Sequence, residues 1–268
     1  MDVVTNFRTI VDRVKRGEKK TVVVAAADEQ DVLAATVQAK QEGLADFLYV
    51  GKAEGIYQCA AESQIDISGV EVLDASDSQE AARKALELLK AGKGHVLMKG
   101  KISTAALIRA VLDKEFGLRA GRLLSQVIVF QVPGYDRLMI LTDAAINIAP
   151  NLEQKADICR NAIEVAQAIG IATPNLAALC ALEFVNSEMP ATLDAAGLTL
   201  MNRRGQLIGG YVEGPIALDV PLSRFAADRK GIDSPLVEST DIFLAPDIEA
   251  ANILYRSILY FAKGESGG

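Results

Sequence analysis

The sequence predicts an α/β protein of two domains, the first built on a mostly parallel sheet with helices on both of its faces. Three observations carry that reading. Short β-branched runs without polar alternation, such as "TVVVAAA" at 21–27, suit strands covered on both sides. Each is followed by a stretch with helical spacing, the grammar of β-α units. Around residue 125 that grammar gives way to two strand-like runs joined by a turn.

Taken in order, "TVVVAAA" leads into "DEQDVLAATVQAKQEG", helically spaced and closed by Gly43. The pattern recurs as strand "DFLYVG" (46–51), the short "VEVLD" (70–74), helix "SQEAARKALELLKAG" (78–92) and strand "HVLMK" (95–99), which breaks into an apolar helix after Ser103. "SQVIVFQVPG" and "DRLMILTD", turned by Pro133-Gly134-Tyr135-Asp136, read as a hairpin. The next helix has Asn151 as N-cap, Gln154 completing a capping box, and Gly170 as its stop. Strand-like "LAALCAL" (176–182), helix-like "ATLDAAGLTLMNRRG" (191–205), "GGYVEGP" (209–215), "DIFLAP" (241–246) and helix "IEAANILYRSILYFA" (248–262) complete the chain. The expected domains are 1–124 and 125–247, with helix 248–262 packing at the boundary between them.

Composition narrows the function classes. With 50% hydrophobic and 24% charged residues in 268, this is an ordinary globular chain, long enough for one large or two modest domains. The net charge of -7 argues against a nucleic-acid or anionic-membrane surface, which would need a basic face. Three scattered cysteines, Cys59, Cys159 and Cys180, and one histidine leave no pattern for structural zinc or a disulfide framework. The first residues lack the apolar core of a signal peptide and no run approaches a membrane span, so the cytoplasm is the expected location.

In open α/β sheets, ligands collect at the carboxyl ends of strands, where the next helix presents free N–H groups. Three segments place polar residues there. "MKGKISTAALIRAV" (98–111) combines Lys99 at a strand end, Gly100 letting the backbone approach a ligand closely, Ser103, Thr104 and an arginine, Arg109, within an apolar helix. The group would suit an anion; it would equally suit a capped helix with solvated lysines and Arg109 paired to Asp113. "LTDAAINIAP" (141–150) holds Asp143 and Asn147 in a run too apolar for a solvated loop, where the pair either satisfies the backbone or points into a cleft. "APDIEAANILY" (245–255) sets Asp247, Glu249 and Asn252 at another strand-to-helix corner, where acids commonly serve the helix start. No GxGxxG, Walker or GxSxG motif occurs, and His95, the only histidine, begins a strand, so nucleophilic catalysis driven by histidine is not expected.

Read in order, these segments, together with "AAADEQDVLAATVQAKQEGLADFLYVG" and "MPATLDAAGLTLMNRRGQLIGGYVEGPIALD", resemble the phosphate acetyl/butyryltransferase family, its butyryltransferase branch above all. The similarity runs from about residue 20 to about 262. It implies an isocitrate/isopropylmalate dehydrogenase-like fold of two three-layer α/β domains with a cleft between them, in a homodimer or larger homo-oligomer. It also implies reversible transfer of a short-chain acyl group between coenzyme A and inorganic phosphate, both as substrates, with no resident cofactor, metal, nucleic acid or membrane. By motif match, Lys99, Ser103, Thr104 and Arg109 fall in the element that binds phosphate and coenzyme A. Asp143, Asn147, Pro150, Glu249 and Asn252 fall in the cleft-lining elements.

Two departures bear on activity. The family's Glu-Ala-Gly-Asn element reads "EAAN", with Ala251 for glycine, so a close backbone approach is expected to be lost. The resemblance also implies a further strand and a Ser-Arg-x-x-Asp/Ser segment after the last helix, where this sequence reads "YFAKGESGG"; its polar end is expected to be disordered. An acyl-CoA binder without turnover is therefore the alternative to the acyltransferase. A decarboxylating dehydrogenase on the same fold would require a metal-binding aspartate cluster that the sequence lacks.

Overall fold

The computed structural model describes residues 4–114 and 121–268. They form two compact units, one within Val11–Gly121, the other made of the chain up to Ile10 and of Arg122–Gly268. Both are α/β, the first around a parallel sheet and the second around a mixed one.

The first unit carries β1 (Lys20–Ala25), β2 (Ala45–Gly51), β3 (Glu71–Asp74) and β4 (Val96–Lys99) in the order β3-β2-β1-β4, all parallel. Helices α2 (Gln30–Gln41), α3 (Ala53–Glu62), α4 (Ser78–Lys90) and α5 (Thr104–Val111) follow the four strands in turn. Neighbouring residues of one strand enter opposite cores. Val24 packs with Phe47 and Tyr49, whereas Val23 and Ala25 pack with Val50 on the other face. That two-sided burial is why β1 has no polar alternation.

The second unit carries β5 (Ile128–Gln131), β6 (Met139–Thr142), β7 (Asn175–Leu179), β8 (Tyr211–Ile216), β9 (Ile242–Leu244) and β10 (Glu265–Gly267), in the order β10-β5-β6-β9-β7-β8. β5 and β6 are the expected hairpin, its turn closed by Tyr135 N–H to the Val132 carbonyl at 3.1 Å. The helices are α6 (Leu152–Ala168), α7 (Pro190–Arg203), α8 (Asp219–Leu222), α9 (Arg224–Lys230) and α10 (Ile248–Tyr260). α6 has the predicted capping box between Asn151 and Gln154. Ile158 of α6 and Leu198 of α7 pack in one core, while Val220 of α8, Ala227 of α9 and Ala251 and Ile258 of α10 pack in the other.

β9 lies between β6 and β7, and its parallel neighbours send their chains the other way. β6 and β7 continue into α6 and α7 on one face of the sheet, β9 into α10 on the opposite face. The polypeptide thus parts at the carboxyl end of β9, which is the point where an open sheet forms a crevice.

Several expectations change. α1 (Phe7–Arg16) and α3 were not legible, because α1 buries no residue and α3 buries only Ile56 and Ala60, too thin a stripe to set a period. The short α8 and α9 also escaped notice. Ala251 is fully buried in the core under α10, so its methyl is accommodated there. The tail is a strand: Glu265, Ser266 and Gly267 pair antiparallel with Gln131, Phe130 and Val129. Its glycines are what permit this, since a Cβ on Gly264 would lie 2.8 Å from Ile258 Cγ2 and 2.9 Å from the Gln131 carbonyl. Hydrogen exchange should therefore show protected amides within 265–267; exchange at the rate of a free peptide would contradict the pairing.

Candidate functional site

The β4–α5 corner is a tight backbone fold. Gly100 N–H donates to the Ala25 carbonyl at 2.9 Å and Lys101 N–H to that of Ala26 at 2.6 Å, while Ala26 itself sits at φ 59°. A Cβ on Gly100 would stand 2.0 Å from the Ala26 oxygen. The close approach that requires glycine is thus to the end of β1, and not to a ligand as the sequence suggested. Ser103 caps α5, its Oγ accepting Ala106 N–H at 3.2 Å. Lys99 Nζ reaches the Gly100 carbonyl at 3.0 Å, and Lys101 lies 3.6 Å from Asp28.

Lys99, Ser103, Thr104 and Arg109 are all exposed. Arg109 is outside the core because α5 turns Ala106, Leu107 and Ala110 against the sheet. It makes no ion pair with another described residue; the pairing with Asp113 considered above is absent. The corner gathers Lys99, Ser103 and Thr104, whereas Arg109 stands about 7.5 Å further along the helix axis than Thr104. The motif's continuation through 115–120 lies outside the described residues.

In the second unit, Asp143 follows β6 and is only 4% exposed. Its carboxylate is consumed by its own loop: Oδ1 accepts Ala145 N–H at 3.1 Å and Ile146 N–H at 3.0 Å, and Oδ2 accepts Asn147 N–H at 3.2 Å and the Asn147 side-chain amide at 2.6 Å. That amide also donates to the Leu124 carbonyl at 2.9 Å. The polar pair therefore serves the backbone, organising residues 143–147.

The loop is joined to α10 by two hydrogen bonds. Asn252 Nδ2 donates to the Ala144 carbonyl at 3.1 Å, and Ile248 N–H to that of Ile148 at 3.0 Å. Asp247 caps the helix, Oδ1 accepting Ala250 N–H at 2.8 Å. Between loop and helix opens a crevice of about 530 Å³, lined by Ala144, Ala145, Ile248, Glu249, Asn252 and Ile253. It sits where β6 and β9 send their chains to opposite faces of the sheet. Glu249 and Asn252 are thus brought together here, while Asp143 and Asn147 brace the loop that forms the other wall.

Sequence reading missed a half-buried ion pair beside the carboxyl ends of β7 and β9. Lys155, 5% exposed, holds Asp194 at 2.7 Å next to a cavity of about 10 Å³ bounded by Ala178, Leu244 and Pro246. A cation in the first turn of α6 opposes the helix dipole, so the carboxylate from α7 is its necessary partner. Only a charged residue among buried positions of the α6 pattern could have signalled it. Nearby, burial pushes the Cys180 thiol up to about 11, and the fully buried Cys159 up to about 12. Both are protonated at neutral pH and neither is a ready nucleophile.

The fold is thus α/β, with exposed hydroxyl and cationic side chains at the strand-end corner β4–α5. A family model described as phosphate acetyl/butaryl transferase matches residues 6–85 and 78–268. The chain is 42% identical over 266 residues to a phosphate butyryltransferase of Clostridium acetobutylicum, covering 99% of this chain and 88% of that one. It is 40% identical over 251 residues to a phosphate acetyltransferase of Thermotoga maritima, covering 94% and 85%. Its fold matches the crystal structure of a branched-chain phosphotransacylase from Enterococcus faecalis V583 with a TM-score of 0.81 at 29% identity, over 92% of this chain and 87% of that one. The chain belongs to the phosphate acetyl/butaryl transferase family.

Two substitutions probe the supports. Asp143→Ala leaves three loop N–H groups without their acceptor and should lower unfolding stability by at least about 1–3 kcal/mol in a urea titration. Asp194→Ala leaves the Lys155 ammonium without its partner and should cost at least about 1–3 kcal/mol, much of it recovered in the double variant Lys155→Met/Asp194→Leu.

Proposed function

We propose that this enzyme transfers a short-chain acyl group, acetyl to butyryl or branched, reversibly between coenzyme A and inorganic phosphate. The observation that carries the reading is the β4–α5 corner, where Lys99, Thr104 and Arg109 stand exposed about a capped helix start in a chain of this family. Hydroxyl, free helix N–H groups and cations are the donors that a phosphate or the diphosphate of coenzyme A requires. Lys99 and Thr104 hold the anion at the helix start, and the long Arg109 side chain adds a guanidinium from further along.

In the reaction a phosphate oxygen forms a bond to the thioester carbonyl carbon, and the carbon–sulfur bond then breaks with the electron pair leaving on the thiolate. Negative charge passes from phosphate to carbonyl oxygen to sulfur. Aligning the two substrates and placing fixed donors where that charge appears lowers the barrier without histidine, metal or covalent enzyme intermediate. Glu249 and Asn252 serve the acyl end. The reading extends to two α/β domains of isocitrate dehydrogenase type, a cytoplasmic location and a homodimer or larger homo-oligomer.

A thiol-release assay with acetyl-, butyryl- and isobutyryl-CoA should show phosphate-dependent turnover. Arg109→Ala should raise the KM for phosphate about 10- to 100-fold, the loss of a charge-assisted hydrogen bond. Binding of these thioesters with no turnover of any of them would leave only the non-catalytic binder, and unchanged phosphate kinetics in the variant would remove Arg109 from the site.

A further inference from the structure

The crevice beside α10 is bounded by hydrogen-bonded backbone, yet its wall is aliphatic. Ala144, Ala145, Ile248 and Ile253 form most of it, with Asn252 and Glu249 as its polar side chains among the described residues. Ile253 is 67% exposed, and Ile148, which ends the loop, is 68% exposed. Isoleucines that open to solvent beside a strand-end crevice are suited to meet an apolar ligand group.

Two backbone carbonyls beside the crevice are already committed. The Ala144 carbonyl accepts from Asn252, and the Ile148 carbonyl from Ile248. An amide-bearing arm or a phosphate laid here would find few donors and acceptors, whereas a hydrocarbon chain needs none. The same two hydrogen bonds fix the separation of loop and helix, so the width of the crevice is set by side-chain size. Along α10 the lining residues Ile248, Glu249, Asn252 and Ile253 occupy one face at two successive turns, a span of about 7.5 Å along the axis. That is the reach of a short acyl chain.

We infer that this crevice takes the acyl chain of the thioester, and that Ala145 on the loop wall and Ile253 on the helix wall set the chain length accepted. The inference rests on the acyl-transfer reading above and names the part of the substrate that the second unit selects. Each methylene buried against such a wall raises kcat/KM about fourfold. A longer side chain on Ala145 shortens the room for the chain, and a shorter one at Ile253 extends it.

The test is kcat/KM for acetyl-, butyryl- and hexanoyl-CoA at saturating phosphate, measured on the wild type, Ala145→Leu and Ile253→Ala, with thermal unfolding run on each. Ala145→Leu should lower the butyryl-to-acetyl ratio about tenfold, and Ile253→Ala should raise the hexanoyl-to-butyryl ratio about tenfold. If either variant fails to fold, Ala145→Val and Ile253→Val carry the comparison with smaller shifts of the same sign. Wild-type ratios retained by folded variants at both positions would overturn the assignment while leaving acyl transfer in place. Absence of phosphate-dependent thiol release by the wild type from all three thioesters would instead overturn the acyl-transfer reading, and this assignment with it.

Discussion

A strand of three residues, Ile242–Leu244, holds the second unit's working edge together. β9 hydrogen-bonds on one side to β6 and on the other to β7, and it alone of the three is followed by a helix on the opposite face of the sheet. Without it β6 and β7 would have no common partner, and both would feed helices on the same side. With it, the loop after β6 and the start of α10 diverge around a crevice. Asp143, Asn147 and Asn252 matter because they hold that divergence in one geometry, each through hydrogen bonds to backbone.

The two strand-end corners solve different electrostatic problems. At β4–α5, cationic and hydroxyl groups remain exposed, while the close packing is done by Gly100 against Ala26. At β6–α6 the charged groups are turned inward, Asp143 to its loop and Lys155 to Asp194, and the crevice toward β9–α10 is mostly aliphatic, with Glu249 and Asn252 in its lining. A thioester and a phosphate make the same division of labour: one end is an anion that needs donors, the other a hydrocarbon that needs their absence.

Much of the architecture was legible in the chain because its cause is local. β-branched runs such as 21–27, the turn at Pro133–Asp136 and the Asn151/Gln154 capping box each follow from periodicity or from a single turn's hydrogen bonds. Helices α1 and α3 were missed because they bury too little to leave a stripe. The tail was misread because its composition is that of a loose end, and nothing within "KGESGG" tells that β5 offers an open edge to pair with.

The sequence by itself determined the strand-helix alternation, the family, and which corners bear polar residues, since these reside in spacing and in motifs read along the chain. Tertiary structure decided what those residues do. It assigned Gly100 to a backbone contact, Asp143 to its own loop and Ala251 to the core, and it brought Ala145 within one crevice of Ile253. The physical reason is that hydrogen-bond satisfaction and burial depend on partners as much as 108 residues away, as between Asn252 and Ala144, and no local pattern encodes a partner at that distance.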